Sequence, residues 1–201
     1  MEFDSATTPE ITSPSIRREA KEDCIRELRN AIERRDFREV LAVRQRYVDR
    51  IRVSYIGLTS ISTLDAILGA EPSILKSCSK KVLGELQVAA AISCVISDNR
   101  GGKFLPEGLT TGLKMDNDAA VRMVIFSVME QRNIASWTKS RVVESIQMRC
   151  PAVNEGEKFK TCDRCRVLEG RIFRLESPLP ELPYEHCESV MGCRCFYQAV
   201  V

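Results

Sequence analysis

The residues of this chain best suited to chemistry are nine cysteines, which are unevenly spread over its 201 residues. Four are scattered over the first 150 residues and five lie within the last 40. The scattered set is Cys24, Cys78, Cys94 and Cys150, and the crowded set is Cys162, Cys165, Cys187, Cys193 and Cys195. An odd number of thiols, crowded at one end, favours a metal site over a framework of disulfides.

The spacing of the crowded cysteines is that of a small tetrahedral metal site. Cys162 and Cys165 place two thiolates on one tight turn, and further donors follow 21 to 30 residues later. Because two pairs joined by such a loop commonly bind zinc, we predict one zinc ion. The predicted ligands are Cys162, Cys165, Cys193 and Cys195, with His186 or Cys187 as alternates for a member of the last pair. Disulfides or an iron–sulfur cluster are the alternatives to zinc.

The four scattered cysteines are predicted to be small core residues, since free cysteine is among the most buried residue types. Cys24 illustrates this interpretation. It falls on an apolar stripe with helical spacing that also contains Ile16, Ala20, Leu28 and Ile32.

Composition indicates a globular chain with a real core. Hydrophobic residues make up 44% and charged residues 29%, which excludes a fibrous or largely disordered protein. The net charge of +2 gives no global attraction to nucleic acid.

The longest apolar stretch, residues 86–96, is shorter than the roughly 18 residues that a membrane helix needs. The N-terminus lacks the features of a secretory signal, so we expect folding in a reducing cytoplasm and no membrane partner.

Residues 1–14 are rich in Ser, Thr and Pro and contain few apolar residues, which predicts a flexible arm. Apolar periodicity predicts a helical domain over residues 15–151. The first helical pattern runs from Ser15 to Ile51, as one helix or as two that break near Asp36. Four more helices are predicted: 62–68, 72–96 beginning at Pro72, 116–131 capped by Asp116 or Asn117, and 138–149 capped by Thr138. The second half of helix 72–96 is apolar nearly all round, which indicates a central core helix.

Residues 152–201 lose the helical period and form the third predicted segment. Short runs at 170–175 and 195–201 are typical of strands. The segment is too short and too polar to fold on apolar burial alone, so it needs a cross-link. The predicted fold class is therefore mainly α: a helical N-terminal body with a small Cys-rich, metal-stapled C-terminal unit that contains short strands.

Two stretches are rich in basic residues. Residues 17–52 contain 12 basic and 8 acidic residues, which is typical of a solvated helix face with ion pairs; a surface for a nucleic acid or an acidic partner is the alternative. The stretch from Lys158 to Arg174 contains six basic residues against two acids. It is either a solvated loop or a contact for DNA phosphates.

Little in the sequence favours an enzyme. His186 is the only histidine, so a nucleophilic site would have to use it among the cysteines. No metalloprotease, phosphate-loop or dinucleotide-binding motif occurs. An all-thiolate metal site would be closed and structural. We therefore predict no catalytic residues, no small-molecule substrate and no bound organic cofactor.

The C-terminal pattern resembles the signature of phage head-morphogenesis proteins, the minor head proteins like the F protein of phage Mu. That signature is a CxxC, a turn of the Leu-Asp-Gly-Lys type, a stretch of prolines, then His-Pro-x-Cys-Arg-Cys. The matching positions are Cys162, Cys165, Leu168, Glu169, Gly170, Phe173, Pro183, His186, Cys193, Arg194 and Cys195. Here the gap from His186 to Cys193 is longer and Cys187 is extra. The resemblance covers about 40 of the 201 residues.

The resemblance implies a structural virion protein, near the portal, that assists head assembly, DNA packaging or DNA delivery. Its implied partners are portal, capsid or neck proteins, and its implied location is the virion, assembled in the host cytoplasm. A neck, connector or tail-end protein with a similar metal-bound tail is the first alternative. A zinc-containing nucleic-acid-binding protein is the second.

Overall fold

A computed structural model describes residues 14–51, 60–150 and 161–200. The chain divides into two compact units, Met1–Tyr55 and Ile56–Val201. Most of the predicted flexible arm, residues 1–13, lies outside the described residues. The predicted boundary after residue 151 falls inside the second compact unit and stays a prediction.

The first unit contains two helices, α1 (Pro14–Glu33) and α2 (Phe37–Ile51), which we call the helical hairpin. Of the two arrangements left open by the sequence, the break near Asp36 is the one observed. Arg35 has a left-handed φ of 54° and ends the first helix. The carboxylate of Asp36 then accepts a hydrogen bond from the backbone N–H of Glu39 at 3.0 Å, which caps the second helix.

The predicted apolar stripe packs the hairpin. Cys24 and Leu28 are fully buried, and Val40 and Val43 of α2 are equally inaccessible. On the outer face, Arg46 forms ion pairs with Glu27 at 2.7 Å and Glu39 at 2.9 Å. This pattern agrees with the interpretation of the arginine-rich stretch as a solvated helix face.

The second unit begins with helices α3 (Ile61–Leu68), α4 (Lys80–Ile96) and α5 (Asn117–Ser140). The prediction of a central core helix is confirmed, because α4 is buried along its second half. Its predicted start at Pro72 is wrong. Pro72 precedes a single 3₁₀ turn, Ser73–Leu75, and the side chain of Ser79 caps the helix by accepting from the Val82 N–H.

The predicted helix from Thr138 to Arg149 is also wrong. The α5 helix continues to Ser140, so Thr138 lies in its last turns, where its hydroxyl donates to the carbonyl of Ile134. Arg141, with φ 55°, ends the helix. Residues Ser145–Arg149 form strand β1, in which Ile146 and Met148 are buried and their neighbours are not. Pairing on both sides of this strand overrides the local helical propensity.

The remaining elements are the short helix α6 (Asp163–Arg166) and strands β2 (Ile172–Arg174) and β3 (Phe196–Val200). Both predicted strands are confirmed. They pair antiparallel on either side of β1, in the order β2-β1-β3. The protein is therefore mainly helical, with a small sheet in its cysteine-rich C-terminal part.

Candidate metal centre

The structure brings the crowded cysteines together in two groups. The Sγ atoms of Cys162, Cys165 and Cys187 lie within 4.8 Å of one another. Those of Cys165, Cys193 and Cys195 form the second group under the same limit. Cys165 belongs to both groups, so the CxxC turn and the C-terminal cysteines converge on one buried sulfur.

The CxxC is shaped by the first turn of α6. Cys162 occupies the N-cap position, and its carbonyl accepts hydrogen bonds from the N–H groups of Cys165 and Arg166 at 3.1 and 3.0 Å. This tight turn places both thiols on one side of the chain. After the helix, Gly170 adopts a φ of 77° and donates to the carbonyl of Met148 at 2.8 Å, which leads the chain into β2.

The loop that carries Cys193 is held against α5. Gly192 has a φ of 74°, and a Cβ at this position would lie 2.8 Å from Cε of Met123. The N–H of Cys193 points at the Met123 sulfur at 3.2 Å, and the Arg122 guanidinium donates to the carbonyl of Met191 at 2.7 Å. The loop is thus positioned by a helix about 70 residues earlier in the chain.

Cys150 is the member of this centre that the sequence analysis missed. It is buried, as predicted, but its Sγ lies 3.0 Å from Sγ of Cys195 and donates to the carbonyl of Cys165 at 3.2 Å. Its N–H donates to the carboxylate of Glu169. The alternation of Ile146, Met148 and Cys150 was the available signal, because it places all three on one face of a strand. We call the six residues Cys150, Cys162, Cys165, Cys187, Cys193 and Cys195 the thiol cluster.

The two alternate ligands are placed differently. Cys187 is in the first group, with its Sγ 3.7 Å from that of Cys162. His186 is in neither group: its side chain is 59% exposed, with Nε2 3.4 Å from the carboxylate of Glu185. The His186 ring instead packs edge-on against Tyr184, with ring centroids 5.3 Å apart.

Hydrogen bonds lower the pKa of two thiols of the thiol cluster. Donation from the thiols of Cys165, Cys187 and Cys195 holds the pKa of Cys193 far below its usual range. The backbone N–H of Tyr184 also points at that sulfur, at 3.3 Å. Burial opposes ionisation of Cys162, but donation from the N–H groups of Glu188 and Cys165 lowers its pKa overall.

Hydrogen bonding acts in the opposite direction on a neighbouring thiol of the cluster. Hydrogen bonding to Cys187, Cys193 and Cys195 raises the pKa of Cys165, because its proton is shared with those sulfurs. Metal binding would release the protons of these thiols, since the thiolate is the ligand form.

The donor set fits a soft or borderline metal ion. A tetrahedron with zinc–sulfur bonds of about 2.3 Å has sulfur–sulfur edges of about 3.8 Å. The separation of 3.7 Å between Cys162 and Cys187 matches such an edge. Thiolate ligands select zinc, cuprous ions or iron–sulfur clusters over calcium and magnesium. The thiol cluster could thus hold a metal ion. All nine cysteines lie in the described residues, and all are free thiols.

The predicted DNA-contacting stretch is only partly described, since Lys158 and Lys160 lie outside the described residues. Arg164 pairs with Glu188 at 3.7 Å, and Arg166 pairs with Asp163 at 3.2 Å. These ion pairs reduce the positive charge that part of the stretch offers to phosphates.

Within the described part of the chain, no helix has both the length and the apolar character that crossing a membrane requires.

Three comparisons with known proteins, by family, by sequence and by structure, found no match. No family model, curated protein or solved structure gives a significant match to the chain.

Proposed function

We propose that the thiol cluster is a structural zinc centre and that the chain is a structural assembly protein of a tailed-phage head. The observation that carries the metal assignment is the convergence of thiols from three separate segments on buried Cys165. These segments are the end of β1, the CxxC turn and the loop before β3. A metal ion there would join parts of the chain that are far apart in sequence.

The energetics of residues 161–200 support a cross-link. In this stretch the buried side chains larger than cysteine are Leu168, Leu182, Pro183 and Tyr197. Ordering about 40 residues opposes folding by about 1–2 kcal/mol per residue for the backbone alone. Structural zinc contributes roughly 10 kcal/mol or more in small metal-folded peptides.

The ligand set argues for structure over catalysis. A catalytic zinc keeps one coordination position for water or substrate, whereas a set of four thiolates fills every position. The one histidine, His186, is exposed and outside both thiol groups. We therefore propose no enzymatic activity.

The head-assembly role rests on the resemblance of the C-terminal pattern to phage minor head proteins. The fold supports treating that pattern as one folded unit, because its positions have distinct structural roles. Leu168 is buried, Gly170 has a positive φ, and Phe173 packs against Tyr197 with ring centroids 6.2 Å apart. The proposed partners are portal, capsid or neck proteins, and the proposed location is the virion after assembly in the host cytoplasm.

Metal content tests the first half of this proposal. Full-length protein purified without added metal should contain zinc, and Cys162→Ser should contain less of it. Cys78→Ser is the matched control, because this thiol lies outside the thiol cluster, with its Sγ 3.7 Å from the carbonyl of Thr111. Metal-free protein with paired cysteines would indicate disulfides, and iron with visible absorbance would indicate a cluster; either result rejects zinc.

Particle composition tests the second half. Mass spectrometry of purified virions should detect the chain in a few copies, and a portal or terminase gene should lie beside its gene. Absence from particles rejects the head role. DNA binding that falls steeply with salt, without incorporation into particles, would favour the nucleic-acid-binding alternative.

A further inference from the structure

The thiol cluster contains more sulfur than one tetrahedral ion can use. A single ion takes four thiolates, and six thiols lie together. The four ligands predicted from the sequence do not form one group: Cys162 lies in the first, Cys193 and Cys195 lie in the second, and Cys165 lies in both. Any choice of four ligands for one ion also leaves two thiols of the cluster unused beside it.

The six sulfurs are arranged as two outer pairs around two inner residues. One outer pair is Cys162 and Cys187, 3.7 Å apart, and the other is Cys150 and Cys195, 3.0 Å apart. The inner residues are Cys165, which belongs to both groups, and Cys193, which lies in the second group and whose pKa is lowered in part by hydrogen bonding to Cys187 of the first.

We propose that the thiol cluster binds two zinc ions that share Cys165 and Cys193 as bridging thiolates. The first ion has Cys162 and Cys187 as its terminal ligands. The second has Cys150 and Cys195. This inference rests on the proposed zinc centre and replaces the single ion predicted from the sequence.

Coordination and charge are consistent with two ions. A thiolate sulfur has three lone pairs, so it can bind two ions at once, and each ion then has four sulfur ligands. Six thiolates and two divalent ions leave two negative charges, the same as one ion with four thiolates. The N–H groups of Glu188 and Tyr184 point at the sulfurs of Cys162 and Cys193 and stabilise that charge. Each protonated thiol releases its proton to solvent on binding.

Cys150 is the ligand that distinguishes two ions from one. Its backbone N–H is fixed by the Glu169 carboxylate, which also lies 3.5 Å from the guanidinium of Arg149. This fixes the end of β1 so that the Cys150 thiol points at Cys195 and not at solvent. A residue that only filled space would not need a neighbouring thiol.

Native mass spectrometry and elemental analysis of the full chain, after dialysis into zinc-free buffer, test the inference. We expect two zinc ions per wild-type chain and two per Cys78→Ser chain. Cys150→Ser should retain one. A wild-type value of one ion overturns the two-ion arrangement and leaves the proposed zinc centre intact, whereas a value of zero overturns both.

A second measurement does not depend on whether the variant folds. Stepwise release of zinc from wild-type protein by a thiol-modifying reagent should give two equivalents, with all six thiols of the cluster protected until metal leaves. Early modification of two of these thiols while all zinc is retained would show that they are not ligands and would overturn the inference.

Discussion

The helical hairpin and residues 161–200, here called the cysteine segment, have similar lengths but bury different kinds of side chain. The hairpin buries a continuous apolar stripe that includes Leu28, Ile32 and Val40, each at most 1% exposed. The cysteine segment buries three thiols and only four larger side chains, and its regular elements are one turn of helix and two short strands.

This difference shows two ways of offsetting chain entropy. In the hairpin, each buried side chain contributes about 1.5–3 kcal/mol by leaving water, and the contributions are spread over many residues. In the cysteine segment, we propose that one centre supplies most of the stabilisation. The hairpin should therefore tolerate changed solution conditions, and the cysteine segment should depend on metal.

The largest expected effect is that of metal removal. A strong chelator should abolish amide protection in α6 and β3 and leave protection in α1 and α2 unchanged, because structural zinc contributes roughly 10 kcal/mol to comparable small folds. Hydrogen exchange followed by mass spectrometry measures both regions in one sample. Readdition of zinc is the control and should restore protection. Unchanged exchange in β3 after verified metal loss would contradict the proposed role.

Truncating a core side chain of the hairpin should lower amide protection in α1 and α2 and leave the cysteine segment unchanged. The expected change in free energy is smaller than that of metal removal. Leu28→Ala removes a fully buried side chain from the hairpin and should cost about 2–5 kcal/mol of local stability. Exchange in α1 and α2 should rise while metal content stays at the wild-type value. Leu41→Ala, at a half-buried position of the same hairpin, is the matched control and should cost less. Loss of metal from Leu28→Ala would show that the two regions are not independent.

The smallest expected effect is the acid sensitivity of the hairpin. Hydrogen bonds from Arg46 and then from the Tyr47 hydroxyl hold the pKa of Glu27 below its usual value of 4.5. Because the pKa is lower in the folded state, this stabilisation is present above pH 4.5 and is lost as the pH falls through the folded-state value. Exchange in α1 should therefore rise on acidification in wild-type protein.

Two variants check the assignment of that acid sensitivity. Glu27→Gln should remove the acid-dependent part of the change, and Tyr47→Phe should weaken it, since one of the two donors is lost. The contribution is small because the pair is largely solvent-exposed. An identical pH dependence in wild-type and Glu27→Gln protein would assign the effect to another group.

The helices of this protein follow from local sequence signals wherever the packed face is continuous. The stripe around Cys24 predicts α1, and Asp36 marks the turn before α2. The same reasoning failed over residues 138–149, where Ile146 and Met148 alternate as in a strand but follow a long helical pattern. That segment pairs with strands about 25 to 55 residues later in the chain, which no local pattern contains.

For the thiol cluster, too, some features could be predicted from the sequence and others depend on the tertiary structure. The sequence by itself determined that Cys162 and Cys165 lie on one tight turn, because two intervening residues place both thiols on one side of a helix start. It also predicted that the last 50 residues need a cross-link, since their composition offers little apolar surface for burial. Only the tertiary structure decided that Cys150 and Cys187 join the cluster and that His186 does not. Those positions depend on the pairing of β1 with β3 and on the docking of the Cys193 loop against α5, and both are contacts between residues far apart in the chain.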